Sequence, residues 1–503
     1  MTHSPTTESI LESTDHQLRN QVQAILKDTE LQNRDQHAER SLASGDAVAR
    51  FQNERGATAR SRSEWEPGAD QGSSPFRGQP RPGGEHVPLA PRSLRESGLS
   101  EAELEGLILK FLLSHGRATG RDIADQIKLP FGLIEDFLYQ LKEDRLVLFK
   151  AAGPLSDYVY EPTDAGCEKA LRYNKSSTYY GAAPVPLADY AGSVAAQTVT
   201  EQSPRLADLK NALGELVLKT EVLKQLGQAT NSGRGLFLSG SPGNGKTSIA
   251  ERITRAFGQY VWIPRAISMW GEIVRLYDPS SHEAAPMDEI MTEFEPAQID
   301  ARWIRIKRPT IVVGGELTMD NLEIKIIDST GIAEAPLQLK SNCGTLVIDD
   351  FGRQRMQPDE LLNRWIVPLE KRFDFLNLTS GRKIQVPFDQ LIVFSTNLEP
   401  RDLVDEAFLR RIPYKIIVED PTEPQFRELF LRMAKDLALS CPPPMVDYLV
   451  DRHYRAPGRS MRFCHPRDLL NQVKNFCDFE ETQPEVTKQA IDAAVKNYFA
   501  LVG

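Results

Sequence analysis

Cysteine is scarce in this sequence: there are five among 503 residues, and none stands in a C-x-x-C pair. Scattered cysteines are typical of unpaired thiols in a reducing compartment and do not favour a disulfide framework or a zinc site. No apolar run reaches the length of a membrane span, and residues 1–5 lack the basic and apolar regions of a signal peptide. We therefore expect a cytoplasmic protein without a membrane segment.

An excess of positive charge is also missing, because 60 lysines and arginines face 70 aspartates and glutamates, for a net charge of -10. This balance disfavours general nucleic-acid binding through a basic surface, although a local basic channel is compatible with it. A hydrophobic content of 40% and a charged content of 26% are typical of globular proteins. The length allows several domains.

Large apolar side chains are sparse in residues 1–95, which we predict to be a disordered tail and linker. Between Ile10 and Leu26 they recur at helical spacing, which predicts either a docking helix for a partner or a transient helix on a disordered tail. From Gly56 to Pro91 the sequence is rich in Gly, Pro, Ser, Arg and Glu, as in a linker.

Residues 96–173 have the pattern of a small domain: three amphipathic helices, a two-stranded wing and a closing helix. The pattern resembles a winged helix-turn-helix domain. The third predicted helix carries Glu135, Asp136 and Glu143, which suits phosphate poorly, so protein docking or an oligomer arm is favoured over DNA reading. An extended connector over 174–205 follows, and its tyrosines predict that it lies against the next domain.

The stretch Gly235–Ala250 carries the most specific pattern. Its apolar start predicts a buried strand, residues 240–247 match G-x-x-x-x-G-K-[ST], and apolar residues continue at helical spacing. Glycines allow backbone N–H groups to surround a polyphosphate, and the helix adds its positive N-terminal end. We expect Lys246 to reach the β- and γ-phosphates and Thr247 to ligate Mg²⁺. The predicted nucleotide-binding residues are Gly240, Ser241, Pro242, Gly243, Asn244, Gly245, Lys246, Thr247 and Ser248.

Two further apolar strands end in polar residues. Residues 344–348 run into Asp349 and Asp350, and residues 391–396 run into Asn397. Ligands of α/β sheets bind outside the carboxyl ends of the strands. We therefore expect Asp349 to contact Mg²⁺, directly or through water, Asp350 to polarise the attacking water, and Asn397 to orient that water. The plainer alternatives are solvent-facing carboxylates and a turn asparagine.

Arginines occupy two helix ends in the last part of the chain. Arg410 and Arg411 close a predicted helix, where one of them could reach a neighbouring subunit's γ-phosphate. Successive helical residues point about 100° apart, so only one is expected to do so; otherwise both offset the helix dipole. Arg467 lies in the first turn of a helix, where a cation opposes the dipole, so an anion is expected nearby: ATP phosphate or Asp468.

These motifs, in this order, resemble the Walker A, Walker B, sensor 1, arginine finger and sensor 2 elements of AAA+ ATPases. The resemblance covers residues 206–503 and implies an α/β nucleotide-binding domain over 206–420 and a helical lid over 421–503. It further implies ATP and Mg²⁺ at the interfaces of a homo-oligomeric ring, with a hexamer favoured. The family usually has Asp-Glu where this chain has Asp349-Asp350, and Asp is one methylene shorter.

Lys246 and Asp349 lie about twice as far apart in sequence as in a minimal AAA+ core. The intervening residues include two β-like runs, 308–317 and 322–327, and a candidate hairpin spans 373–387. Such insertions resemble the group of MoxR chaperones, magnesium chelatase subunits and enhancer-binding activators, in which hairpins face a pore or a client. MoxR-like relatives have their single arginine before a residue that Ile412 matches, which favours Arg411 over Arg410.

The sequence therefore predicts a ring-forming, chaperone-like AAA+ ATPase that remodels a protein client. One alternative is a DNA-directed motor or transcription regulator, motivated by the winged helix and by Arg302, Arg305, Lys307 and Arg308; the activators' Gly-Ala-Phe-Thr-Gly-Ala loop is absent. The other is a nucleotide-gated scaffold with slow turnover, motivated by Asp350.

Overall fold

A computed structural model describes residues 77–80, 85–153, 157–214, 216–403 and 406–500. All of them fall in one of the two units into which the chain divides, Glu64–Gly503. The predicted helix between Ile10 and Leu26 lies outside the described residues.

Five parallel strands form the sheet that positions the site. Their spatial order is Thr310–Val313, Thr345–Ile348, Leu391–Thr396, Leu236–Ser239 and Tyr414–Ile417, and every neighbouring pair is parallel. The three inner strands are buried along their whole length, as both faces of a parallel sheet are normally covered. We call Leu236–Ser239, Thr345–Ile348 and Leu391–Thr396 the P-loop strand, the aspartate strand and the asparagine strand.

Helices cover both faces of this sheet. Because side chains alternate along a strand, Leu346 and Ile348 pack into one apolar cluster with Trp365, and Val347 packs into another with Ile249. We call residues 206–420, the predicted nucleotide-binding domain, the nucleotide domain; its helices include Leu206–Leu213, Thr220–Ser232, Lys246–Ile253, Pro358–Arg364, Ile366–Lys371, Pro400–Leu403 and Glu406–Arg411.

The long segment between Lys246 and Asp349 supplies four strands of a second sheet, which we call the inserted sheet, and the connector supplies the fifth. Its order is Lys325–Ile327, Ile332–Glu334, Glu272–Arg275, Ala266–Met269 and Val185–Pro186. A separate antiparallel pair, Tyr260–Pro264 with Trp303–Lys307, lies in the same segment, as do the short helices Asp288–Met291 and Leu337–Lys340.

Our assignment of one of the two β-like runs, 308–317, to the insertion is wrong. Thr310–Val313 is the edge strand of the central sheet, parallel to the aspartate strand. Its alternation of buried and exposed residues suits a sheet edge, and a short β-run has the same local pattern in either place. The other run forms a hairpin with Ile332–Glu334, and the hairpin predicted at 373–387 is confirmed as Phe373–Asn377 paired with Lys383–Pro387.

The predicted small domain contains the expected elements in the expected order. Its helices are Glu101–His115, Gly120–Ile127, Phe131–Glu143 and Asp164–Asn174, and its strands are Ala118–Thr119, Val147–Ala152 and Tyr158–Pro162. Asp136 and Glu143 are exposed on the third helix. The winged-helix assignment and its use in protein docking stay predictions.

Two predicted linkers are partly folded. Within 1–95, strands Gly78–Pro80 and His86–Pro88 pair, Val87 is buried, and a short helix spans Leu94–Ser97, so the prediction of disorder is wrong for the part that the structure describes. Within the connector, a helix spans Leu187–Ala196 instead of extended chain. Tyr190 on this helix is buried and its hydroxyl donates to Leu339 O at 3.1 Å, so the segment does lie against the next domain.

In the described residues after the central sheet, four α-helices span Glu423–Asp436, Pro443–Val450, His465–Phe479 and Lys488–Tyr498, and a π-helix spans Asp451–Arg455. They share one apolar cluster that includes Phe426, Leu470 and Ile491. We call this part the helical domain; it lies within residues 421–503, and its role as a lid stays a prediction. In the described part of the chain, no helix is long and apolar enough to cross a membrane. All five cysteines are free thiols.

Candidate nucleotide site

The G-x-x-x-x-G-K-[ST] segment forms a tight loop between the P-loop strand and the helix Lys246–Ile253. Gly243 and Gly245 have φ values of 82° and 79°, in the left-handed region that favours glycine. A Cβ on Gly245 would have nothing within 4 Å, so one side of the loop is open. This open side, at the N-terminus of a helix, has the form of an anion cradle.

The structure brings the predicted polar residues together at the carboxyl ends of the three inner strands. Lys246 Nζ donates to Asn397 Oδ1 at 2.6 Å and to the carbonyl oxygens of Gly240 and Ser241 at 2.9 and 3.1 Å. Thr247 Oγ1 donates to Asp349 Oδ2 at 2.8 Å. Because the asparagine strand lies between the other two, its Asn397 is placed between the loop and the carboxylates.

Asp350 completes this network in an unusual backbone conformation. Asn397 Nδ2 donates to Asp350 Oδ1 at 3.0 Å, and the backbone N–H of Asp350 donates to Asp349 Oδ1 at 3.0 Å. Its φ of 48° lies in the left-handed region, where aspartate is among the better tolerated non-glycine residues. The next residue, Phe351, bonds Ser395 O through its N–H at 2.7 Å, which fixes the turn against the asparagine strand.

Burial lowers the pKa of Lys246, and the carboxylates of Asp349 and Asp350 act in the opposite direction. The residue as a whole is 7% exposed. Its present partners are two carbonyls and an amide oxygen rather than a carboxylate. A buried cation with neutral partners favours an added anion.

The loop opens into a cavity of about 1090 Å³ that the nucleotide domain shares with the helical domain. At their contact the N–H of Cys464 donates to Gly243 O at 2.9 Å, and a Cβ on Gly243 would lie 2.4 Å from Cys464 Sγ. Asn244 bonds a residue outside the loop: its Nδ2 donates to Asp420 Oδ1 at 2.7 Å, and Arg462 forms an ion pair with the same Asp420. The loop is thus joined to the start of the helical domain.

Arg467 lines this cavity and bonds the neighbouring Asp468, while its contact with ATP phosphate stays a prediction. It is exposed, and its Nε donates to Asp468 Oδ1 at 3.1 Å. An exposed ion pair of this kind is weak, so it leaves the guanidinium able to exchange partners.

The oxygen ligands at the tip of the aspartate strand fit a hard divalent cation. The Thr247 hydroxyl and the Asp349 carboxylate supply two adjacent oxygens, the donor type that Mg²⁺ prefers. Among the described residues no cluster of three or more His, Cys, Asp or Glu side chains could hold a metal alone. The remaining ligands would therefore be phosphate oxygens and water, as is usual for Mg²⁺ with nucleotides.

Arg410 and Arg411 differ in their surroundings at the end of the helix Glu406–Arg411. Arg411 is partly buried, and its Nε donates to Glu370 Oε1 at 2.7 Å. Arg410 is exposed. Neither lines the cavity, so the role of an arginine acting on another subunit stays a prediction for both.

The cations that motivated a DNA-directed function are bound by the protein itself. Arg302 is paired with Asp300, Arg305 with Glu85, and the buried Arg308 donates to Cys343 O. Lys307 pairs with the exposed Glu283. These residues therefore form no free basic surface.

Sequence reasoning missed several residues of the cavity. The cations Arg252, Arg353 and Arg432 and the acid Asp436 line it, as do apolar side chains at Leu216, Val217, Leu218, Leu429, Met433 and Phe463. The position of Arg353, three residues after Asp350, could have flagged it. The apolar residues carry no local signal, because tertiary packing brings Leu216, Val217 and Leu218 of the nucleotide domain together with Leu429, Met433 and Phe463 of the helical domain.

The central sheet, the loop and the polar network have the arrangement expected of a P-loop nucleotide-binding domain. They bring together the residues that the resemblance to AAA+ ATPases implies, apart from Arg410 and Arg411.

Comparisons with known proteins identify one family model and distant solved structures. A model described as a domain of unknown function (DUF8689) matches residues 422–497, in the helical domain. No curated protein matches the chain. NtrX from Brucella abortus in complex with ADP is 15% identical with a TM-score of 0.36, covering 58% of this chain and 58% of that chain. The RuvB Holliday junction branch migration motor of Thermotoga maritima is 14% identical with a TM-score of 0.33, covering 58% and 73%.

The chain thus spans less than two thirds of the NtrX chain that it matches. At these identities and TM-scores, the similarities carry no weight for a function here.

Proposed function

We propose that this chain is an AAA+ ATPase that binds ATP with Mg²⁺ and hydrolyses it. The observation that carries the proposal is the network of Lys246, Thr247, Asp349, Asp350 and Asn397 at the ends of three adjacent parallel strands. Its members are chemically suited to a polyphosphate, and the cavity before them is large enough for a nucleotide.

Each residue has a role that follows from its position. Lys246, released from Asn397 and the two carbonyls, binds the β- and γ-phosphates, and the loop's N–H groups bind their oxygens. Thr247 and Asp349 would hold Mg²⁺, which would supply positive charge to neutralise that of the phosphates. Asp350 accepts a proton from the attacking water, and Asn397 orients that water.

The apolar side of the cavity suits the base. Leu216 to Leu218 come from the nucleotide domain and Leu429, Met433 and Phe463 from the helical domain. A nucleotide there would contact both domains, so binding and hydrolysis bias their relative position. We propose that this motion, in a homo-oligomeric ring with Arg411 or Arg410 acting on the neighbouring site, remodels a protein client. The hairpin Phe373–Pro387 is the proposed client-facing element, as in the MoxR-like group.

A nucleotide-gated scaffold with slow turnover is the second candidate. Asp350 has a short side chain that already accepts a hydrogen bond from Asn397, in a left-handed conformation that limits how the carboxylate can move. These features favour binding over fast proton abstraction.

Calorimetric titration with ATP and Mg²⁺, followed by steady-state turnover, tests the site. The Lys246→Ala variant should lose nucleotide binding, by about 100-fold or more for a buried charged contact to phosphate. Lys224→Ala, an exposed lysine outside the cavity, is the matched control and should bind as the wild type does. Unchanged ATP affinity in Lys246→Ala would refute the site.

Turnover measured across a protein concentration series, beside the mass in solution with and without ATP, tests the ring. Turnover that rises steeply with assembly supports an interface-catalysed motor, and tight binding with assembly but almost no turnover supports the scaffold. Arg411→Ala and Arg410→Ala should each keep binding, and the acting arginine is the one whose loss removes turnover. If wild-type subunits mixed with that variant do not restore ATP turnover, the proposal that this arginine acts across the interface is wrong.

A further inference from the structure

Five cations line the nucleotide cavity, and four of them have partners. Lys246 bonds Asn397 and two carbonyls, and Arg467 bonds Asp468. Arg252 and Arg432 each have an interaction partner as well. Arg353 differs: it is exposed, and in the described ranges its guanidinium has neither a hydrogen bond nor an ion pair.

The backbone that carries Arg353 is held firmly, although its side chain is free. Gln354 Nε2 donates to Asp349 O at 2.8 Å, and Gln354 Oε1 accepts from the N–H of Gly352 at 2.8 Å. The N–H of Arg353 itself donates to Asp350 O at 2.9 Å. Gly352 has a φ of 97°, and a Cβ there would lie 2.5 Å from Leu403 Cδ2, so the turn is also packed against the segment after Asn397.

This arrangement places an uncommitted guanidinium on the same turn as Asp350. An arginine remains charged at any relevant pH and presents a planar fork that matches phosphate oxygens. It does not pair with either neighbouring aspartate, so its capacity as a donor is available to a ligand. A ligand phosphate close to Asp350 and Asn397 would be the terminal one, where the water attacks.

We propose that Arg353 is a specificity residue of this site: its guanidinium binds the terminal phosphate of a nucleoside triphosphate and makes the site prefer triphosphate to diphosphate. This inference rests on the proposed function. It adds a cation from the same subunit to those that the sequence predicted.

The test is calorimetric titration with the β,γ-imido analogue of ATP and with ADP, both with Mg²⁺. In Arg353→Ala the dissociation constant for the triphosphate analogue should rise about 10- to 100-fold, as expected for a lost hydrogen bond between charged groups, while that for ADP changes less than about twofold. Arg353→Lys should recover part of the loss, because it keeps the charge without the fork. Arg355→Ala, in the same exposed segment but outside the cavity, is the matched control.

Unchanged triphosphate affinity in Arg353→Ala, an equal loss for ADP, or the same loss in Arg355→Ala would overturn the inference. A wild-type protein that binds neither nucleotide would instead overturn the proposed function. If the wild type binds both, Lys246→Ala binds neither and Arg353→Ala behaves as the wild type, only the role of Arg353 fails. An unchanged melting temperature of Arg353→Ala without nucleotide would show that the variant folds.

Discussion

An arginine beside the inserted sheet, Arg302, and one in the nucleotide cavity, Arg353, differ in whether protein groups bond their guanidinium groups. Arg302 is 3% exposed, bonds both oxygens of Asp300 and also donates to the carbonyls of Ser97 and Pro184. Arg353 lines the cavity and has no such partner among the residues that the structure describes. Both arginines follow an aspartate within three residues in sequence, so composition alone does not distinguish them.

The difference separates groups that hold the fold from groups that await a ligand. Arg302 links the pair of strands Tyr260–Pro264 and Trp303–Lys307 to the small domain and the connector, since Ser97 and Pro184 lie in those segments. Its hydrogen-bonding capacity is used by the protein, which is the condition for burying a charge. In the cavity, Lys246 is buried against neutral partners and Arg353 is free, so this region gains most from an added anion.

The largest expected effect on stability comes from breaking the buried pair. Asp300→Ala leaves the Arg302 guanidinium buried without its carboxylate, which should lower the free energy of unfolding by about 3 to 5 kcal/mol. Thermal and urea unfolding measure this. Asp125→Ala, which removes the exposed pair with Lys128, should cost less than about 1 kcal/mol. If both variants lost equal stability, the contrast between the two kinds of charged group would not hold.

In the cavity, the expected effect of a substitution is on ATP turnover and not on stability. Asp350→Asn keeps the side-chain size and the contact with Asn397 but removes the proton acceptor, so ATP turnover should fall by about 100-fold or more. ATP affinity and the melting temperature should stay near those of the wild type, because the side chain is exposed. Turnover equal to the wild type would exclude Asp350 as the base.

A pair of glycine variants measures the contact between the loop and the helical domain. Gly243→Ala and Gly245→Ala both place alanine at a positive φ, which costs about 1 to 2 kcal/mol. Only Gly243→Ala also drives a Cβ against Cys464 Sγ, which should add roughly 1 to 3 kcal/mol. Unfolding without nucleotide should therefore show Gly243→Ala as the less stable variant; equal losses would mean that the helical domain moves away freely.

The smallest expected effect concerns His465, whose pKa is lowered to about 4, chiefly by burial and also by Arg462. Its Nδ1 lies 3.0 Å from the Tyr454 hydroxyl. The unfolded state takes up a proton near pH 6.5 and the folded state only near pH 4, so stability falls as the pH drops through this window. From pH 7.5 to 5.5 the loss from this group should be about 1 kcal/mol.

His465→Phe should remove that part of the pH dependence, because phenylalanine does not titrate and can pack against Phe499 and Tyr498 as the imidazole does. Unfolding of both proteins at the two pH values gives the difference directly. An identical loss in the variant would assign the pH dependence to other groups.

Much of the nucleotide site could be predicted from the sequence, because its signals are local. The loop from Gly240 to Thr247, the aspartates after one apolar strand and Asn397 after another each carry their chemistry within a few residues, and parallel strands bring such ends to one edge. The hairpin Phe373–Pro387 could also be predicted, because a turn signal lies between two β-like runs.

Other features were decided by contacts between distant segments. Thr310–Val313 has the pattern of any short strand, and its pairing with Thr345–Ile348 makes it part of the central sheet. The helix Leu187–Ala196 is stabilised by a distant contact, because Tyr190 is buried and bonds Leu339 O. Arg302, Arg305 and Arg308 look like a basic run in the sequence, but in the structure each is bonded by a group of the protein.

The sequence by itself determined the P-loop, the strand ends that face it and the acidic third helix of the small domain, because these depend on residue type and short spacing. Tertiary structure alone decided which arginines are neutralised, which apolar side chains line the cavity, and that Arg353 is left free beside Asp350. The physical reason is that a charge is satisfied by whatever the fold places within about 3 Å of it, and that neighbour is usually far away in sequence.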